Sequence, residues 1–134
     1  MIKRKKIMKK VMTVAMGAMM MMSCASEKAI VGKWNIEEAQ GKSTAKAETQ
    51  AYIEFDKKGK FYGNTSVNRF FGSYKLKGDK ITLSNVGSTM MMGRDMEIEQ
   101  AVLQALEQST TIKADKGTAT VKDANNKTVM VLKK

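Results

Sequence analysis

Phe70-Phe71-Gly72-Ser73-Tyr74-Lys75-Leu76, then Lys77-Gly78-Asp79, then Lys80-Ile81-Thr82-Leu83: the reading of this chain turns on that stretch. Aromatic and branched residues flank a short glycine-aspartate break, the pattern of a strand, a tight turn and a returning strand. Ile81 and Leu83 stand two residues apart and share a face. The aromatics Phe70, Phe71 and Tyr74 are expected to supply core on both faces. Gly72, inside a strand, signals a bulge or a close backbone approach. Just upstream, Asn64 and Asn68 tolerate left-handed backbone and bond nearby main chain, which predicts a kinked crossover between strands.

The same grammar extends in both directions. Upstream, Ile30, Gly32, Trp34 and Ile36 alternate with Val31, Lys33, Asn35 and Glu37, a half-buried strand. Residues 38–50 are small and polar and read as an exposed loop. Tyr52, Ile53 and Phe55 form the next strand, closed by Asp56-Lys57-Lys58-Gly59, where glycine takes a positive φ at no cost. Residues 60–64 pair back, with Phe61 and Gly63 on one side and Tyr62 on the other. Downstream, residues 86–92 read as extended. Over 95–108 the period changes: Ile98, Val102, Ala105 and Leu106 recur at helical spacing, with Leu103 beside them. Asp95 is the expected N-cap, and Glu97 and Glu99 suit the positive end of the helix dipole. Strands over 110–114, 118–122 and 128–132 follow, separated by Asp115-Lys116-Gly117 and Asp123-Ala124-Asn125-Asn126. The expected class is α+β, mainly antiparallel: about eight short strands in a curved sheet or partly open barrel, with one helix over 95–108 covering an end or face.

The chain begins differently. Six cations (Lys3, Arg4, Lys5, Lys6, Lys9, Lys10) precede an apolar run of residues 11–22, which ends at Ser23 and Cys24, the single cysteine. Charge, a short apolar stretch and a small residue in that order make a secretory signal. The run is too short for the roughly 20 residues of a spanning helix. Its ending resembles a bacterial lipoprotein signal, in which Cys24 is lipidated and becomes the new N-terminus; bulky Met22 departs from the usual pattern. Residues 1–23 therefore read as signal peptide, 24–29 as tether and 30–134 as one domain. Acylation would also explain a lone thiol without a partner, and acyl chains would moor the domain without a spanning segment.

Removing the leader changes the charge argument. Of 24 Lys and Arg, 18 remain against 13 acids, so the net charge falls from +11 to +5. Lys33, Lys57, Lys58, Lys60, Lys75, Lys77, Lys80 and Lys113 read as scattered over a solvated surface. Nucleic acid would require a basic stripe with phosphate-spaced donors, and no such partner is expected. There is no histidine, the commonest general base and metal ligand. A Ser–Lys dyad is formally possible, but no pair is marked by a nucleophile elbow or an S-x-x-K motif. Asp56, Asp79, Asp115 and Asp123 sit in turns that explain them. Met90-Met91-Met92, with Met96, offers thioethers suited to copper(I). Packing where a strand meets a helix is the stronger reading of those methionines. No catalytic residue, metal site or cofactor is expected. Asn68 and Arg69 could instead contact a ligand, though their folding role reads more strongly.

In order, Gly32-Lys33-Trp34, Phe55-Asp56 with Gly59, Asn68-Arg69-Phe70-Phe71-Gly72-Ser73-Tyr74, Ser88-Thr89-Met90-Met91 and a helix from Glu99-Gln100 through Leu103-Gln104-Ala105-Leu106 cover nearly all of the chain after the leader. This arrangement resembles the META-domain family, which includes the heat-shock lipoprotein HslJ. The motif residues carried over are Trp34, Asn68, Arg69, Phe70, Gly72, Ser73, Tyr74, Thr89 and Met90, all with a structural reading. Two family cysteines are missing together: Val67 stands before the asparagine, and Gly93 closes the methionine segment.

The resemblance implies an antiparallel, cracked-barrel-like fold plus helix in an envelope lipoprotein. It implies association with stress or antibiotic tolerance, and in some relatives with motility or secretion, and it implies no catalytic residue. The expected protein is a monomeric, non-enzymatic module held by lipid at the outer membrane of a bacterial envelope, binding another envelope component. The alternative is a carrier of an acyl chain or small hydrophobic compound, its cavity lined by Phe61, Phe70, Ile81 and Leu83.

Overall fold

A computed structural model describes residues 29–134. The leader, Cys24 and all of the tether but Ala29 lie outside the described residues. Lying wholly within the described residues, in chain order, are β1 (Gly32–Ala39), β2 (Lys42–Ser43), β3 (Tyr52–Phe55), β4 (Lys60–Asn64), β5 (Arg69–Lys77), β6 (Lys80–Ser88), α1 (Met96–Gln108), β7 (Thr111–Asp115), β8 (Thr118–Lys122) and β9 (Thr128–Lys133). All pairings are antiparallel, and β1 pairs with β9, so β1 and β3 to β9 close an eight-stranded ring. Closure removes the exposed edges that an open sheet would present. The extra strand β2 folds back on the end of β1, within the segment expected to be a loop.

Connections alternate between the two ends of the ring. The turns at 56–59, 78–79 and 116–117 share one end with the start of β1 and the end of β9. The other end carries the loop 40–51, the crossover 65–68, the segment with α1, and the turn 123–127. The ring is weakest at the β6–β7 seam. Its single registered pair is Lys80 with Thr111, flanked by Ile81 N–H to Thr110 O and Ile112 N–H to Asp79 O at 2.9 Å each.

Alternation builds the interior. In β1, Trp34 and Ile36 are buried, and a register shift between Ile36 and Glu38 turns Ala39 inward as well. The indole of Trp34 donates to Ile30 O at 2.8 Å, so Ile30 is buried just ahead of the strand. Phe55, Phe61 and Phe70 stack across β3 to β5, with ring centroids 6.2–6.4 Å apart. Two glycines make room for them. A Cβ at Gly63 would lie 2.1 Å from Tyr52 O, and one at Gly72 would lie 2.7 Å from the Phe61 ring. Gly72 also marks a bulge, with the register shifting between Phe71 and Ser73.

Three expectations need correcting here. Phe71 is not core: its side chain is 54% exposed and lies over Gly87 on the outer surface. A single-layer barrel has one interior, so of two adjacent phenylalanines only one can enter it. Residues 86–92 are not one extended segment, because β6 ends at Ser88. Asp95 stands at the N-cap of α1 as expected, its carbonyl accepting from Glu99 N–H at 3.0 Å, but its side chain makes no cap bond. Its carboxylate instead accepts from Glu48 N–H at 2.9 Å and from the Ser66 hydroxyl at 3.0 Å, tying the 40–51 loop and the 65–68 crossover to the foot of α1. The helix buries Ala101, Val102, Ala105 and Leu106 as one stripe against β1 and β9.

Candidate functional site: a buried amide and two exposed surfaces

Among the described residues, the densest polar contact centres on Asn68, in the crossover from β4 to β5. A carboxamide offers two N–H donors and two acceptor lone pairs, and Asn68 uses all four. Its Oδ1 accepts from Thr89 Oγ1 at 2.8 Å and from Met91 N–H at 2.6 Å; its Nδ2 donates to Met91 O at 2.9 Å and to Glu99 Oε1. Thr65, fully buried, donates toward Glu99 Oε1 at 3.3 Å and accepts from Asn68 N–H at 2.9 Å. One side chain thus joins the crossover, the segment leaving β6 and the helix.

The network corrects the sequence reading in three ways. The bonds of Asn68 were expected to be local, yet its carboxamide partners lie 21 to 31 residues away. Glu99, read as a helix-dipole acid, is 6% exposed and held by Asn68 and Thr65. Met91 gives its backbone to Asn68 as if to a strand neighbour, although 89–92 is no part of the sheet. The amide is fully used inside the protein and none of it is offered to a ligand. Among the described residues no buried side-chain nitrogen or oxygen lacks a partner, and neither of the surface concavities found includes Asn68, Thr65 or Glu99 in its lining.

The other motif residues lie apart from one another. Trp34 and Phe70 are in the core. Tyr74 packs edge-on to Phe55 at 5.1 Å and donates its hydroxyl to Asp56 O, bracing the β3–β4 turn. Ser73 accepts from Lys60 Nζ at 3.0 Å. Lys60 is exposed and Ser73 half-buried. Arg69 is exposed, its backbone paired to Thr89. No cluster of three or more Cys, Asp or Glu side chains able to hold a metal ion occurs among the described residues.

Two surfaces emerge that the sequence did not announce. The first is apolar. Met90, Met91 and Met92 are 89%, 62% and 85% exposed, overturning their assignment to the core, because the Asn68 clamp holds the main chain and leaves the thioethers outside. Phe71 and Tyr62, cross-strand neighbours on the outer face, and Val86 on β6 are exposed nearby in the same part of the fold. Tyr62 donates to Glu54 Oε2 at 2.8 Å, and that bond, with desolvation and the carboxylate charge, holds its phenol above the usual range. Beside Val86 a shallow groove runs between β6 and α1 over Leu83, Leu103 and Leu106.

The second surface is basic. Lys57, Lys58, Lys75, Lys77 and Lys80, read as scattered, line one cleft with Val31, over a floor that includes Tyr74 and Leu76. Two hairpin tips at the same end of the ring bring them together. Of the residues expected to line an acyl-chain cavity, Phe61, Phe70 and Ile81 are core residues and Leu83 packs against them; Leu83 also borders the groove beside α1.

Comparison with known proteins gives the fold a context. A family model described as META domain matches residues 27–134. No curated protein matches the chain. Among solved structures, an NMR structure described only as that of a protein is 21% identical, covering 81% of this chain and 92% of its own, with a TM-score of 0.64. An NMR structure of a protein from Burkholderia xenovorans is 20% identical over 83% of this chain and 86% of its own, TM-score 0.61. The crystal structure of a DUF4847-family protein from Bacteroides vulgatus is 14% identical over 81% and 96%, TM-score 0.58. At such identities the likeness is one of fold.

Proposed function

The chain belongs to the META-domain family, and from that premise we propose that it is a non-enzymatic envelope lipoprotein whose barrel binds another envelope protein through its apolar surface. The observation that carries this reading is the exposure of Met90, Met91, Met92 and Phe71 on a barrel that buries Trp34, Phe61 and Phe70 in its core. Flexible thioethers beside an aromatic make an adaptable contact surface, and exposed apolar groups gathered in one region mark interaction sites. Glu54 and Arg69, at its margin, would supply the polar rim of such a contact. The anchor is the lipid on Cys24, which places the module at the outer membrane; stress or antibiotic tolerance is the setting in which it acts.

Two measurements test the two halves. Intact-mass analysis of membrane-bound protein is expected to show an acylated N-terminal cysteine in wild type and, in Cys24→Ala, no acyl mass and loss of the membrane retention that survives high salt. Unmodified, soluble wild-type protein would remove the anchor. For the surface, a photo-reactive residue at Met90 is expected to yield a discrete protein adduct in cells, and one at Thr120, on the far side of the ring, none. Adding Phe71→Ser should abolish the adduct while shifting stability by no more than about 0.5 kcal/mol, as for most exposed positions. Identical adducts from both positions would mean that no specific surface exists.

A further inference from the structure

The ring is polarised end to end, and the chain's own entrance is at the basic end. Lys57, Lys58, Lys77 and Lys80 are exposed on the tips of the β3–β4 and β5–β6 hairpins. Lys116 occupies the third turn at that end, and Lys134 closes it, donating to Val31 O at 3.0 Å. Two of the acids at that end are engaged, while Asp115 stands exposed beside Lys116. Asp56 Oδ1 accepts from the main-chain N–H of Lys58 and Lys60 at 2.9 and 2.8 Å, and Asp79 faces Lys113 at 3.8 Å. Neither ion pair found among the described residues includes a lysine of the cleft. At the opposite end stand α1, with Glu97 and Glu107, and the apolar methionines.

From this we infer that the hairpin-tip end of the barrel faces an anionic lipid surface, its lysines binding headgroup phosphates. Two observations converge on that occupant. Charge complementarity is the first: lysine ammonium groups spread over three turns suit a plane of phosphates better than one small anion, and Tyr74 and Leu76 give the cleft an apolar floor for the bilayer boundary. The second is reach. Val31 lines the same cleft and follows Cys24 by seven residues, so a lipid on that cysteine lies within about 25 Å of it even with the chain fully extended. The inference deepens the proposed envelope role and rests on it for the second observation. A bilayer at this end leaves the apolar surface, at the far end of β5 and β6, turned toward other proteins.

The test uses a chain beginning at residue 25. Every strand of the ring is paired on both sides from within residues 32–133, so this chain keeps the whole barrel and lacks the cysteine. Flotation with phosphatidylcholine vesicles containing one third phosphatidylglycerol is expected to recover it at least about tenfold better than neutral vesicles do, with the difference collapsing at high salt. Lys57→Glu, Lys77→Glu and Lys80→Glu together should abolish recovery. Lys42→Glu, Lys46→Glu and Lys127→Glu, an equal charge change at the other end, should leave most of it. The corresponding three glutamines at the basic end give an intermediate loss and guard against a misfolded reversal variant. No preference for anionic vesicles, or equal loss from both triple reversals, overturns the inference. Because Cys24 is absent, that failure is distinct from a failure of acylation, which the mass measurement reads separately.

Discussion

Replacing Asn68 with alanine should lower the unfolding free energy by about 3–4 kcal/mol, visible as a shifted urea midpoint with an unchanged slope. The size follows from what is left behind. The carboxamide holds the Met91 N–H, the Met91 carbonyl, the Thr89 hydroxyl and Glu99 Oε1 at once. A buried polar group deprived of its partner costs about 1–3 kcal/mol, more when charged, and entering water would recover part of that. Glu99 would keep only the longer Thr65 contact. Asn68→Asp makes the sharper test because it preserves shape. It sets a second carboxylate against Glu99, so the folded pair favours holding a proton that the unfolded chain would release. That contribution is present at low pH and is lost as pH rises, so the variant should be closer to wild type at about pH 4 than at about pH 7. An alanine variant within about 1 kcal/mol of wild type would mean that the network is decorative.

The parts of this fold that were legible in the sequence are those decided within a few residues. Asp56 with Gly59, Gly78 and Gly117 mark turns because those glycines take positive φ, and Asp56 closes its own turn. The helical stripe Val102, Ala105 and Leu106 was equally local. Phe71 was misread, although alternation already held the answer, since Phe70 and Phe71 point to opposite faces and a ring has one inside. Glu99 and Met90 to Met92 could not have been placed from their own neighbourhoods. Their environment is set by an amide 31 and about 22 residues upstream, and an acid in a first helical turn reads the same whether it meets solvent or Asn68. The lysines were misjudged for a topological reason. In an up-and-down ring every second connection returns to the same end, so lysines at 57, 58, 77, 80 and 116 converge although they are spread over some 60 residues of chain.

The same geometry explains why two absences in the chain go together, and it yields the second large effect. Val67 and Gly93 stand where the family's two cysteines are expected, one just before the Asn68 clamp and the other just after the methionines it holds. A Cβ built on Gly93 lies 3.8 Å from Val67 Cβ, the mean separation across a disulfide. Gly93 is not among the residues with positive φ, so a side chain is tolerated there. Its tightest neighbour, Val67 Cγ1 at 3.1 Å, would be replaced by the bond itself. The double variant Val67→Cys with Gly93→Cys, in a Cys24→Ser background to prevent mispairing, should therefore oxidise to an intramolecular disulfide. Closing that loop removes unfolded-state entropy worth at most about 3.5 kcal/mol, and about 2–3 kcal/mol is the expected gain of the oxidised over the reduced form. The bridge and the Asn68 clamp pin the same crossover to the same segment, so the two should substitute for one another. In the oxidised double variant, Asn68→Ala should cost about 1 kcal/mol less than in the parent, a coupling that denaturation of all four proteins would measure. Full additivity would show that the clamp acts through Glu99 and the helix alone; failure to oxidise would show that the two segments do not meet as described.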